Sequence, residues 1–178
     1  MENALASGRF HVLCYDKDGN LKWEEDNSNL VVNAGVVYMA GSALTGVTQI
    51  TTWYLGLWGA GASNNPDKTD TMASHAGWTE FTSYSIAGGS TANRATATLV
   101  NSSSIALNQS IVTNSASVAV FTITSGGTVG GAFLTSAQAK SPGNTGTLFS
   151  GSDFTGGDRT VVTNDTLNVT YTFTLTGA

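Results

Sequence analysis

A single cysteine, Cys14, excludes an internal disulfide, and only two histidines, His11 and His75, are present for metal or acid–base chemistry. Charge is also scarce: 11% of the 178 residues are charged, against roughly 25% in an average domain. The seven Lys and Arg never form a run. That denies phosphate backbones and anionic lipid an electrostatic footprint, so neither nucleic acid nor a membrane is expected as a partner. No apolar stretch approaches the ~20 residues that cross a bilayer. Residues 1–8 lack the basic start and apolar run of a secretory signal. They read as a flexible N-terminal arm on a protein made and kept in a cytoplasm.

In place of charge the chain carries Thr, Ser, Asn and Gly, while hydrophobic content stays at 40% and net charge at −5. Ordinary apolar content with little charge argues for folding rather than disorder. The surface is then polar but uncharged, which suits a protein packed against neighbours better than a solvated monomer. From Thr166 to Thr176, Leu167, Val169, Tyr171, Phe173 and Leu175 alternate with Thr and Asn. Successive strand side chains point to opposite faces, so this is a half-buried antiparallel strand. Threonine on the outer face keeps β-branched stiffness and offers a hydroxyl to water.

Other strand signals follow at short intervals. Phe10–Tyr15, the turn Asp16–Asn20 and Leu21–Glu24 predict a hairpin. Cys14 keeps step with Phe10 and Val12 and reads as a buried, inert thiol. Within Asn33–Leu44, Val36, Val37, Ala40 and Leu44 recur at helical spacing, with Asn33 as cap. Thr51–Trp58 carries large groups on both faces, so it is a central strand or meets another subunit. Asn64–Asp67 is a turn, and Asp70 caps one helical turn through Ser74. Trp78–Ser85 and Arg94–Val100 read as strands. Ser117–Thr124, the turn at Gly126–Gly127 and Thr128–Thr135 read as a second hairpin, and Ala137–Thr145 as a polar loop. Thr147–Ser150 and Arg159–Val162 are short strands. Together these predict one all-β domain over residues 1–178, an antiparallel β-sandwich of jelly-roll or immunoglobulin-like kind, with one or two short helical segments.

Reactive chemistry is sparse. A nucleophilic triad needs Ser, Thr or Cys beside a histidine held by a carboxylate. His75 has Asp70, Ser74 and Glu80 near it in sequence, but no nucleophile elbow surrounds it. Asp16–Asn20 invites comparison with a calcium loop, yet Gly19 stands at position four where an EF-hand needs glycine at six. A plain hairpin turn is the reading. Glu24, Glu25 and Asp26 add a weak oxygen-donor possibility. Gly59–Gly61 and Gly126–Gly127 lack phosphate-loop spacing. No catalytic residue, metal or cofactor is expected, and the chain is not read as an enzyme.

One block is more specific. Asp70-Thr-Met-Ala-Ser-His-Ala-Gly-Trp-Thr-Glu-Phe81, preceded by Trp53-Tyr-Leu-Gly-Leu57, resembles a family of small structural proteins of tailed-bacteriophage particles. Tyr15–Trp23, Asn29–Gly35, Gly131–Thr135 and Gly146–Phe149 resemble it too, so the likeness spans nearly the whole chain. Ser85–Arg94 departs from the Thr-Arg-Pro segment of that family. The resemblance implies a capsid decoration, or cement, protein on the virion surface that binds the major capsid protein and bridges shell subunits. It also implies a homo-oligomer, with a symmetric trimer a common solution, assembled in the host bacterial cytoplasm. The surplus tryptophans Trp58 and Trp78 are then expected at subunit or capsid contacts, or else in ordinary core. A tail-associated receptor- or carbohydrate-binding module is the second reading, since β-sandwiches with exposed tryptophan often bind carbohydrate. Trp53, Trp58 and Trp78 could separately flank a glycoside-hydrolase cleft, but nothing in the pattern selects its two acids. A hydrolase using His75 and Glu80 is the third.

Overall fold

Apolar–polar alternation in the two terminal strands sets the first sheet. The computed structural model describes residues 4–60, 66–75, 77–102 and 108–177. Strands β1 (Ala4–Tyr15), β2 (Leu21–Ser28) and β3 (Leu30–Val31) lead into helix α1 (Asn33–Leu44). Then come β4 (Trp53–Gly59), β5 (Glu80–Phe81), β6 (Tyr84–Ile86), β7 (Ala95–Ala97) and β8 (Val100–Asn101). Strands β9 (Gln109–Thr113), β10 (Ala119–Ile123), β11 (Gly127–Thr135), β12 (Leu148–Asp153), β13 (Arg159–Val161) and β14 (Thr166–Gly177) complete the chain.

These strands form two antiparallel sheets packed as a sandwich. One runs β2-β1-β14-β10-β6, with β9 on β14 and β8 on β9. The other runs β3-β12-β11-β4-β5, with β13 on β11 and β7 on β4. Strands β1 and β14 pair along their whole length, Ala4 against Gly177 and Tyr15 against Thr166. Their inward residues Phe10, Val12, Cys14, Leu167, Val169 and Tyr171 meet Leu55, Leu57, Ala132 and Leu134 of the facing sheet in the main core. Burial pushes the Cys14 thiol up to about 12, as an apolar surrounding does to any thiol.

The second sheet is apolar on both faces, because a second cluster fills its outer side. Val32, Trp58, Met72, Trp78, Phe133 and Leu148 pack there. Strand β4 is central, between β11 and the β5 and β7 fragments. Trp58 is wholly buried and Trp78 is 3% exposed, so, of the two places expected for these tryptophans, both occupy the core within the chain. The cause is that Met72 and Trp78 pack over Trp58 of β4 and cover it.

Several local expectations change. The 117–135 region is not a hairpin: β10 belongs to the first sheet and β11 to the second. Trp78–Ser85 divides into β5 and β6, and Arg94–Val100 into β7 and β8, each pair split between sheets. Residues 70–74 hold a turn closed by a Thr71–Ser74 bridge rather than a helical turn. Helix α1 starts after Val32, with no side-chain cap from Asn33. Residues 4–8 of the expected arm are strand, paired to β14. The expected turn Asn64–Asp67 and the Gly59–Gly61 run lie partly outside the described residues, at 61–65. The β1–β2 turn forms as read: the Asp16 carboxylate accepts from the Asp18 and Asn20 amides, and Gly19 takes φ 83°. The Asn20 side-chain hydrogen bond, above all, holds the Asp16 carboxyl below its usual range.

Candidate interaction surface

Helix α1 carries no charged residue, and its two faces differ in what they touch. Gly35 is buried against β12, where a Cβ would collide with the Phe149 carbonyl oxygen. Only glycine lets the helix lie this close. Tyr38 packs edge-on against Trp53, with ring centroids 5.3 Å apart. Its hydroxyl accepts the Ile50 amide at 2.7 Å, which pins the loop after the helix. Trp53 continues to Phe149 at 5.3 Å, and Phe149 to Phe173 at 5.5 Å.

The opposite face is the apolar stripe that the sequence periodicity marks, and it points outward. Val36 is 49% exposed, Val37 71% and Leu44 84%, with Val47 of the following loop at 50%. Ala40 lies between them and is also exposed. A helix apolar on every side is ordinarily buried on every side.

Beside α1 the sandwich opens into an apolar mouth of about 160 Å³, lined by Tyr38, Met39, Trp53, Val112, Phe149 and Phe173 among others. Beyond Phe173 the inward face of β14 runs past the facing sheet, so Leu175 is 40% exposed although its position in the alternation is a core one. Only Leu167, Val169 and Tyr171 of the five alternating residues are fully buried.

Charge is sparse in this region. None of the 19 charged residues, seven basic and twelve acidic, falls within 27–66 or 95–139, or after Asp165. These stretches hold α1, its loop, β7 to β11 and β14. The β1–β2 turn, with Asp16, Lys17 and Asp18, lies beyond the seven β1 residues that follow Gly8, the partner of Phe173, while the exposed Arg9–Asp26 pair sits nearer, at the level of Thr172 on the outer face of the first sheet.

The polar positions considered for chemistry are held elsewhere. Glu24, Glu25 and Asp26 do not converge, since strand alternation turns Glu25 inward while Glu24 and Asp26 share the outer face, each with its own partner. His11 pairs with Glu24 at 2.7 Å, Arg9 with Asp26, and Arg159 with the buried Glu25. His75 stacks on Trp78 with centroids 3.7 Å apart, its Nδ1 3.0 Å from the Trp78 carbonyl. The Trp78 indole donates to Asp70 at 3.2 Å. His75, Glu80 and Lys140 border one cleft of about 260 Å³. Both Glu80 oxygens accept from Arg94, at 2.8 and 2.7 Å. Arg94 also donates to the Ala137 and Ala139 carbonyls, and Lys140 to those of Thr82 and Tyr84. Burial raises the Glu80 carboxyl above its usual range and lowers the Lys140 ammonium. This network ties the 137–140 loop and β5 together. No group of three metal-ligating side chains occurs among the described residues, and no helix there is long and apolar enough to cross a membrane.

Sequence reasoning marked Val36, Val37, Ala40 and Leu44 as periodic, but the pattern carries no sign of which face is outside. The charge-free stretches were the available signal. No family model, curated protein or solved structure matches the chain.

Proposed function

We propose that this chain is a structural protein of a tailed-bacteriophage particle, a decoration protein bound to the outside of the head. In this reading it works as a homo-oligomer, a trimer, that bridges copies of the major capsid protein. The observation that carries the reading is the uncharged end of the sandwich with its exposed α1 stripe. A solvated monomer gains nothing from Val37 and Leu44 in water, whereas a permanently assembled protein covers them. The resemblance of Asp70–Phe81 and Trp53–Leu57 to phage structural proteins supplies the setting. The acidic balance suits the outer surface of the shell, away from packaged DNA.

A two-layer sheet with both faces of β4 covered also suits a part that resists lattice strain rather than one that moves. The carbohydrate-binding reading needs exposed tryptophan, and Trp58 and Trp78 are buried. Among the described residues the large apolar side chains left well exposed are all Leu or Val, with no aromatic ring.

Heads assembled without this protein give the direct test. Purified protein is expected to sediment with them to a fixed number of copies per head and to raise the temperature at which they rupture. Protein that stays in the supernatant, or that binds without saturating, overturns the proposal.

A further inference from the structure

Helix α1 is apolar on its outward as well as its inward face, and its docking leaves it no freedom to turn. The Gly35 contact with the Phe149 backbone and the Tyr38 hydrogen bond to Ile50 fix its rotation. Val36, Val37, Ala40 and Leu44 are therefore held outward by the fold. We infer that this stripe is the contact between copies of this chain, α1 helices meeting around a rotation axis. The inference deepens the proposed function and rests on its homo-oligomer.

The occupant follows from charge. Near a rotation axis each side chain faces its own symmetry copies. A charge there meets like charge, which disfavours the interface. A surface built for self-association about an axis is consequently free of charge. From Asn33 through Thr52 the chain has none. A different partner is recognised by complementary charge as readily as by shape, and a chain of net charge −5 has acidic residues to offer. This face offers no such residue. The acidic turn at Asp16–Asp18 is seven β1 residues from the level of Gly8 and Phe173, so assembly through α1 keeps the like-charged ends apart.

Small and β-branched side chains also let helices approach to the ~8–10 Å of close packing. A standard interface needs about 800 Å² from each partner, more than four side chains provide. The contact then extends over the apolar mouth, where Leu175 and Val100 are exposed beside the lining residues.

Light scattering on the eluting protein, across a range of loading concentrations, tests this. The wild-type chain is expected to elute as a defined multiple of 18.3 kDa. The double variant Val37→Glu, Leu44→Glu is expected at 18.3 kDa, at least a twofold drop, with an unchanged circular dichroism spectrum. A milder variant, Leu44→Cys, leaves the apolar stripe intact. A short bismaleimide is expected to join its copies at position 44, while the buried Cys14 stays unmodified. A wild-type monomer at every concentration, a charged variant of undiminished mass, or no cross-link at position 44 would overturn the inference. Shell binding separates the two proposals: wild-type monomers that sediment with heads overturn this contact and the homo-oligomer but leave the shell reading, and oligomers that do not sediment overturn only the shell reading.

Discussion

Trp58→Ala is expected to lose about 3–5 kcal/mol of folding stability, the range for removing a large buried aromatic. Against a total of about 5–15 kcal/mol for an ordinary domain, that is between about a fifth of the stability and all of it. The reason lies in how the indole is held. It is wholly buried, stands 5.0 Å from the Trp78 ring and stacks at 6.4 Å on Phe133. Gly131 and Gly151 form the slot it occupies, since a Cβ at either would run into the ring. A rigid β-sheet slot cannot collapse onto alanine, so the cavity stays and its cost is added to the lost burial. Urea unfolding followed by circular dichroism measures the loss. Trp58→Phe keeps a ring in the slot and is expected to lose markedly less. A Trp58→Ala variant as stable as wild type would mean that the outer cluster is not a core.

Arg94→Met is expected to cost a similar ~3–5 kcal/mol, by a different mechanism. The arginine is wholly buried and its partner Glu80 retains only 11% of its side-chain exposure. Removing one member of such a pair strands the other as an uncompensated buried charge. Methionine fills the volume but donates nothing to Glu80 or to the Ala137 and Ala139 carbonyls. The loss has a pH signature. Burial already raises the Glu80 carboxyl even with Arg94 beside it, and without Arg94 it rises further. A carboxyl raised in the folded state opposes folding above its unfolded-state value, and the opposition is relieved as pH falls through the raised value. The stability gap between wild type and Arg94→Met is therefore expected to narrow from pH 7 towards pH 5. Adding Glu80→Gln should recover part of the loss at pH 7. A pH-independent gap, unaffected by Glu80→Gln, would show that the carboxylate is not the cause.

The two variants also separate what the sequence discloses from what it does not. The β1–β2 hairpin, α1 and β14 are legible because their signals are local: turn chemistry, helical spacing and strict alternation. The corners are not. Between Phe81 and Tyr84, and between Ala97 and Val100, the chain passes from one sheet to the other, and alternation along a segment says nothing about which sheet it joins. The Gly126 turn looks the same whether it closes a hairpin or arches between sheets, which is why β10 and β11 read as partners. Trp58 and Trp78 show the same limit at the level of the site. An aromatic surplus has one appearance in sequence whether it faces a partner or a second core layer, and here the packing of Met72 and Trp78 on Trp58 decides it. Arg94 carries no signal at all in the sequence, because its role depends on carbonyls more than forty residues away. For α1 the periodicity was visible but its direction was not, since only the close approach at Gly35 turns the apolar stripe outward.

Gold-labelled antibody against this protein, imaged on intact phage particles, tests the central claim most directly. The account predicts label spread evenly over the head. Label confined to the tail, or none on intact particles, would contradict it.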